Sequence, residues 1–201
     1  RIQVTEPATA TVPASGRACL ALFAAVLALH AWCSHLGWSN LPLDGHEFRQ
    51  TQTAISIRSL AESGLQLDYP TPVLGKPWSV PLEFPLYQNL AAALVRHAGL
   101  PLESAARVTG LAFFYLTLPA LYLLGAHLRL APALRLLVLA AFLASPIYLY
   151  YPRTVMIEST ALGLGAWFLC LFGLALDRST WPRVLGAALL AALAGMVKLP
   201  T

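Results

Sequence analysis

Three observations predict an all-α membrane protein. Of 201 residues, 58% are hydrophobic and 11% are charged, where soluble domains carry about 25% charged residues. The mean hydropathy is +0.66. Several apolar runs also reach the roughly twenty residues a helix needs to cross a bilayer, in which each unpaired backbone group costs several kcal/mol. The 13 Lys and Arg against 9 Asp and Glu leave a net charge of +4, too sparse for the basic stripe of a nucleic-acid binder. No nucleic-acid partner is expected. Cys19, Cys33 and Cys170 sit far apart inside apolar runs, a pattern of small packing residues and not of a disulfide framework.

In chain order, residues 1–17 are rich in Ala, Thr and Pro and read as a disordered lead-in. About five transmembrane helices follow, at residues 18–38, 105–128, 132–151, 156–176 and, marginally, 183–198. Residues 18–38 are long enough to span and lack a clean small-x-small cleavage site, so they read as a retained anchor and not a removed signal. Residues 18–201 are expected to form one transmembrane domain, the N-terminal part of a longer protein.

Arginines in short loops set the orientation. Arg1 and Arg17 precede the first span, Arg129 and Arg135 separate the second from the third, and Arg178 and Arg183 separate the fourth from the fifth. These fall on one, inner, side. The segment 39–103 then lies outside as a long first loop, and a long loop with structure of its own is usually functional. Within it, residues 47–63 place Ala54, Ile57, Leu60 and Ala61 on one arc at 3.6 residues per turn, which predicts a helix lying on the membrane surface. Gly64 stops it, a proline-rich strap spans 70–81, and a second helix starts at Pro85 and runs to His97.

Three polar clusters carry chemistry. The densest, DGHEFRQTQTA at 44–54, places Asp44, His46, Glu47, Arg49 and Gln50 just after the first span. Burying such groups beside lipid is costly unless they pair or work. One reading makes Asp44 the cap of the next helix and Glu47 the reciprocal member of a capping box. The second cluster, EFPLYQ at 83–88, contains Glu83 and Gln88; an acid there favours a helix N-terminus. The third, SPIYLYYPR at 145–153, precedes Glu158, an ionisable residue just inside an apolar run. Arg153 could pair with Glu158, and the tyrosines read as interface anchors. With Lys198, the spans bring all these groups to the outer face.

In their order along the chain, Asp44 with FRQ at 48–50, EFPLYQ at 83–88, YYPR at 150–153 with Glu158, and KLPT at 198–201 resemble the N-terminal part of integral-membrane glycosyltransferases of the GT-C fold. Within that family the chain is most similar to bacterial relatives of the protein O-mannosyltransferases and of the lipid A aminoarabinose transferase. The resemblance covers nearly all of residues 18–201. It implies a polyprenyl-phosphate-linked sugar as donor, a hydroxyl acceptor on a lipid, glycan or protein, and a bacterial inner-membrane location with 39–103 on the periplasmic or extracellular side.

The family's early acid, the proposed base, maps to Asp44, and its second acid maps to Glu158. The family's usual pair of adjacent acids is absent, because Gly45 follows Asp44, so Glu47 or His46 would take the neighbour's place. The expected roles are Asp44 as base, Glu158 and Glu47 as positioning groups, and Arg49, Arg153 and Lys198 as cations for the leaving phosphate. His46, Gln50, Glu83 and Gln88 complete the expected substrate site. A divalent cation could be held by Asp44 and Glu158 through oxygen ligands. The competing classes are a secondary transporter or lipid flippase, which would place its site near the midplane, and a noncatalytic assembly subunit.

Overall fold

The computed structural model describes residues 14–40, 45–69 and 83–198. Among these the regular elements are all helical: α1 (Ala14–His35), α2 (Glu47–Ser63), α3 (Leu86–Ala98), α4 (Leu102–His127), α5 (Pro132–Ala144), α6 (Pro146–Tyr150), α7 (Glu158–Asp177) and α8 (Trp181–Val197), with a 3₁₀ turn at Tyr151–Arg153. Three helices, within α1 and at α4 and α7, are long and apolar enough to cross a membrane, and the bent pair starting at α5 makes a fourth. The chain therefore has the architecture of an all-helical membrane protein.

The expected span 132–151 is not one straight helix. It breaks between Ala144 and Pro146 and bends by 65°. Pro146 has no N–H to donate to the preceding turn and drives the residue before it out of the helical region; Ser145 sits at φ −67, ψ 129. The fifth expected span is the 17-residue α8, about 25 Å long at 1.5 Å per residue, the lower limit for spanning.

α4 packs along α7, α7 along α8, and α1 along α5, while α3 bridges α2 and α4. Small residues permit the central contact. A Cβ on Gly163 would lie 2.8 Å from the Phe113 carbonyl oxygen, and one on Gly110 would lie 2.9 Å from that of Pro152. Without a hydrophobic force between helices in lipid, such close backbone approach supplies the packing. The outward faces stay apolar, with Leu20, Leu29, Trp32, Leu116, Leu169 and Leu189 exposed.

The loop helices fall where the periodicity predicts, but α2 does not lay its apolar arc on lipid. Ile57 and Leu60 are buried in a core shared with Tyr87, Ala91, Ala106, Val155, Ile157 and Val197, and Ala54 and Ala61 pack against it. The arc is satisfied by protein from α3, α4, α7 and α8. The capping-box register also differs: His46 holds the N-cap position in the left-handed region (φ 50, ψ 34) with no side-chain cap. Glu47 is then the first helical residue, two positions too early for the reciprocal bond. α3 ends on Gly99 at φ 66, the left-handed cap that glycine adopts without steric cost.

Two buried polar side chains lock the bundle. Within α6 the Tyr148 carbonyl would bond to the residue four on, but that residue is Pro152, which has no N–H. His30, buried in α1, supplies the donor: its Nε2 lies 2.9 Å from the Tyr148 oxygen, and its Nδ1 lies 3.0 Å from the Tyr115 hydroxyl. Bonding to that carbonyl requires a proton on Nε2, since a carbonyl oxygen only accepts. Arg107 of α4, also buried, donates to the carbonyls of Trp38, Asn40 (2.5 Å) and Arg153 (3.1 Å), tying the chain after α1 to α4 and the 3₁₀ turn.

Candidate functional site

The polar residues gather at one end of the bundle, where α1 and α8 finish and α4 and α7 begin. Glu158 opens α7, and Lys198 follows α8. Lys198 Nζ donates to Glu158 Oε1 at 3.1 Å, while Glu158 Oε2 is buried and has no hydrogen-bond donor among the described residues. The pair lines a hollow of about 300 Å³ whose other walls are Ile147, Tyr148, Tyr151, Ser159 and Leu162. One flank is charged, and the rest is largely apolar and aromatic.

Arg153 is not the partner of Glu158. Its Nη1 donates instead to the carbonyls of Cys33 (3.3 Å) and Leu36 (3.1 Å) at the end of α1. The exposed C-terminal carbonyls of a helix attract a guanidinium strongly, whereas Lys198 reaches Glu158 because α7 and α8 are antiparallel neighbours. Arg153 lines a separate polar cavity of about 40 Å³ with Arg107, Gln50, Tyr150 and Asn40.

His46 reaches the hollow's rim. Its Nε2 lies 3.4 Å from the Tyr151 hydroxyl, and its ring is flanked by those of Tyr150 and Tyr151. The backbone before it is pinned twice at the Gly45 carbonyl, by the Tyr150 hydroxyl (3.0 Å) and by Gln50 Nε2 (2.8 Å). Gln50 also accepts the Val155 N–H at 3.1 Å, so it acts as a tie between α2 and the segment before α7. A non-glycine residue held in the left-handed region by so many contacts is the kind of over-determined strain that collects at working sites. Asp44 lies outside the described residues, as does the strap 70–81. Glu47 is exposed on the first turn of α2.

A second ion pair stands beside the first. Arg49 bonds to Glu83, and the Phe84 N–H donates to the Met196 carbonyl at 2.9 Å, which docks the start of α3 on the end of α8. Burial pushes the Glu83 carboxyl above its ordinary pKa; Arg49 pulls it back, and the nearby Glu158 pushes it up again. Tyr69 is buried and its pKa is pushed up to about 12, chiefly by burial, with Glu83 raising it further and Arg49 lowering it. Tyr87 is raised for the same reason, and its hydroxyl donates to the Ala106 carbonyl at 2.9 Å. Gln88 is buried, and its Oε1 has no donor among the described residues.

Glu83 gives a pH prediction with a definite sign. Its folded pKa lies above its unfolded one, so the folded state binds this proton more tightly. The associated stability is complete below the unfolded pKa and is lost as pH rises through the folded pKa. Lowering the pH from neutrality into the weakly acid range should therefore raise the thermal midpoint in detergent. Glu83→Gln should flatten that rise; an unchanged slope would show that Glu83 is not its source.

Among the described residues no group of three His, Cys, Asp or Glu side chains gathers as a metal site. The expected cation would have to draw on Asp44, outside the described residues, and on Glu158, one of whose oxygens Lys198 already holds. The residue pattern did not single out His30, Arg107 or Tyr69. For His30 a signal existed, because an imidazole inside an apolar run is a candidate by default.

No family model, curated protein or solved structure matches this chain. Since a helical bundle fixes no activity, function has to be read from these side chains.

Proposed function

We propose that the chain forms the donor-binding part of an integral-membrane glycosyltransferase of the GT-C type. It would transfer a sugar, with inversion, from a polyprenyl phosphate to an acceptor hydroxyl on a lipid, glycan or protein at the outer face of a bacterial inner membrane. The observation that carries this reading is Glu158: one oxygen is held by Lys198, the other lacks a donor among the described residues, and the two residues line a hollow with apolar and aromatic walls. A buried acceptor without a donor calls for one, and a substrate hydroxyl supplies it. The apolar walls suit the first carbons of a lipid whose phosphate stays near Lys198.

In the reaction the acceptor oxygen attacks the anomeric carbon as its proton passes to a carboxylate. The bond from that carbon to the phosphate oxygen breaks, and its electron pair leaves with the polyprenyl phosphate. The leaving phosphate needs neutralisation more than protonation, and a fixed cation provides it. Asp44 is the proposed base, Lys198 the cation, and Glu158 the group that orients a substrate hydroxyl. Arg49 acts one step back, through Glu83.

The test is release of labelled sugar from a polyprenyl-phosphate donor by the full-length protein in liposomes. Transfer to an acceptor supports the proposal. Movement of intact labelled lipid across the bilayer with no glycosidic cleavage would replace it with a flippase.

A further inference from the structure

The opposite end of the bundle carries a second arrangement that the transferase reading leaves unused. His127 at the end of α4 bonds through Nδ1 to Asp177 Oδ2 at the end of α7, at 2.7 Å. This contact draws the α4–α5 and α7–α8 turns together. Arg129 follows His127 by two residues, Arg178 follows Asp177 directly, and both arginines are exposed. Arg183 and Arg135 are already engaged. The first donates to the carbonyls of Leu174 (3.1 Å) and Arg178 (3.2 Å), and the second lies over the Tyr122 ring at 4.5 Å. Among the described residues of these two turns, Asp177 is the one acid, and His127 occupies it.

Apolar side chains stand beside these cations. Leu128 is 61% exposed, Leu176 70% and Trp181 77%. Tryptophan with arginine at a helix end marks the level of the lipid headgroups. We propose that the paired turns bind the headgroup of an anionic phospholipid, with Arg129 and Arg178 on its phosphate and Leu176 and Trp181 along its first acyl carbons. A free phosphate would satisfy the arginines and leave the leucine and tryptophan unmet, so a lipid is the fitting ligand.

The experiment titrates the full chain, in phosphatidylcholine–detergent micelles, with phosphatidylglycerol and counts retained lipid by native mass spectrometry. Phosphatidylglycerol should bind in preference to added phosphatidylcholine and weaken as salt rises. Arg129→Gln and Arg178→Gln should each reduce its affinity about five-fold, the contribution expected of one arginine near a charged surface, while Arg129→Lys retains most of it. Leu176→Ser with Trp181→Ser should weaken the lipid without changing the response to inorganic phosphate. The proposal is overturned by equal retention of both lipids, by salt-insensitive binding, or by inorganic phosphate displacing the lipid far more than chloride does at equal ionic strength. It is also overturned by glutamine variants that bind like the wild type while keeping its thermal midpoint.

Discussion

Asp44→Asn is expected to cut sugar transfer by about 10²- to 10⁴-fold, the usual loss on removing a positioned proton acceptor. The thermal midpoint should hold, because the chain beside this residue is fixed through Gly45 by Tyr150 and Gln50. Glu158→Gln should cost less. A neutral amide still fills the wall of the hollow, and what is lost is one hydrogen bond to a charged group, worth about 1.5–3 kcal/mol, or roughly 10- to 150-fold. Comparing the two variants in one transfer assay assigns the roles. If Glu158→Gln is the more damaged and Asp44→Asn keeps turnover, the base is Glu158, and the role given to Asp44 is wrong.

Arg107→Met should be the most destabilising exchange at this end of the bundle. The methionine fills much of the same space but leaves the carbonyls of Trp38, Asn40 and Arg153 without their donor. Asn40 is exposed and Trp38 and Arg153 are half-buried, so water replaces part of the lost pairing; with about 1–3 kcal/mol for each acceptor left fully buried and unpaired, a total loss of about 1–3 kcal/mol is expected. Arg107→Lys should fall between, since a compact ammonium does not match the guanidinium's fork of donors. Equilibrium unfolding in detergent measures both. A wild-type midpoint for Arg107→Met would mean that the three carbonyls find other partners and that Arg107 does not hold the exit of α1.

Much of this arrangement is legible in residue order. Hydropathy locates α1, α4 and α7, periodicity locates α2 and α3 to within a residue or two, and the alternation of spans carries Glu158, Lys198 and Glu83 to one end. What sequence leaves open are choices between physically equivalent partners. An apolar arc looks the same whether Ile57 and Leu60 face lipid or α3, because both surroundings are hydrocarbon. Arg153, five residues before Glu158, is as plausible a partner as Lys198 until the antiparallel packing of α7 and α8 decides it. His30 becomes intelligible only with the elbow at Pro146, which turns the Tyr148 carbonyl toward α1. Arg107 reads as an ordinary charge near a helix start until three carbonyls from distant segments converge on it.

Impermeant maleimide labelling, applied from each side of sealed vesicles, tests the central claim directly. In a background with Cys19, Cys33 and Cys170 replaced by serine, Glu47→Cys and Lys198→Cys should react from one and the same side, and Arg178→Cys from the other. Reaction of Glu47→Cys and Lys198→Cys from opposite sides would contradict the gathering of these segments into one site.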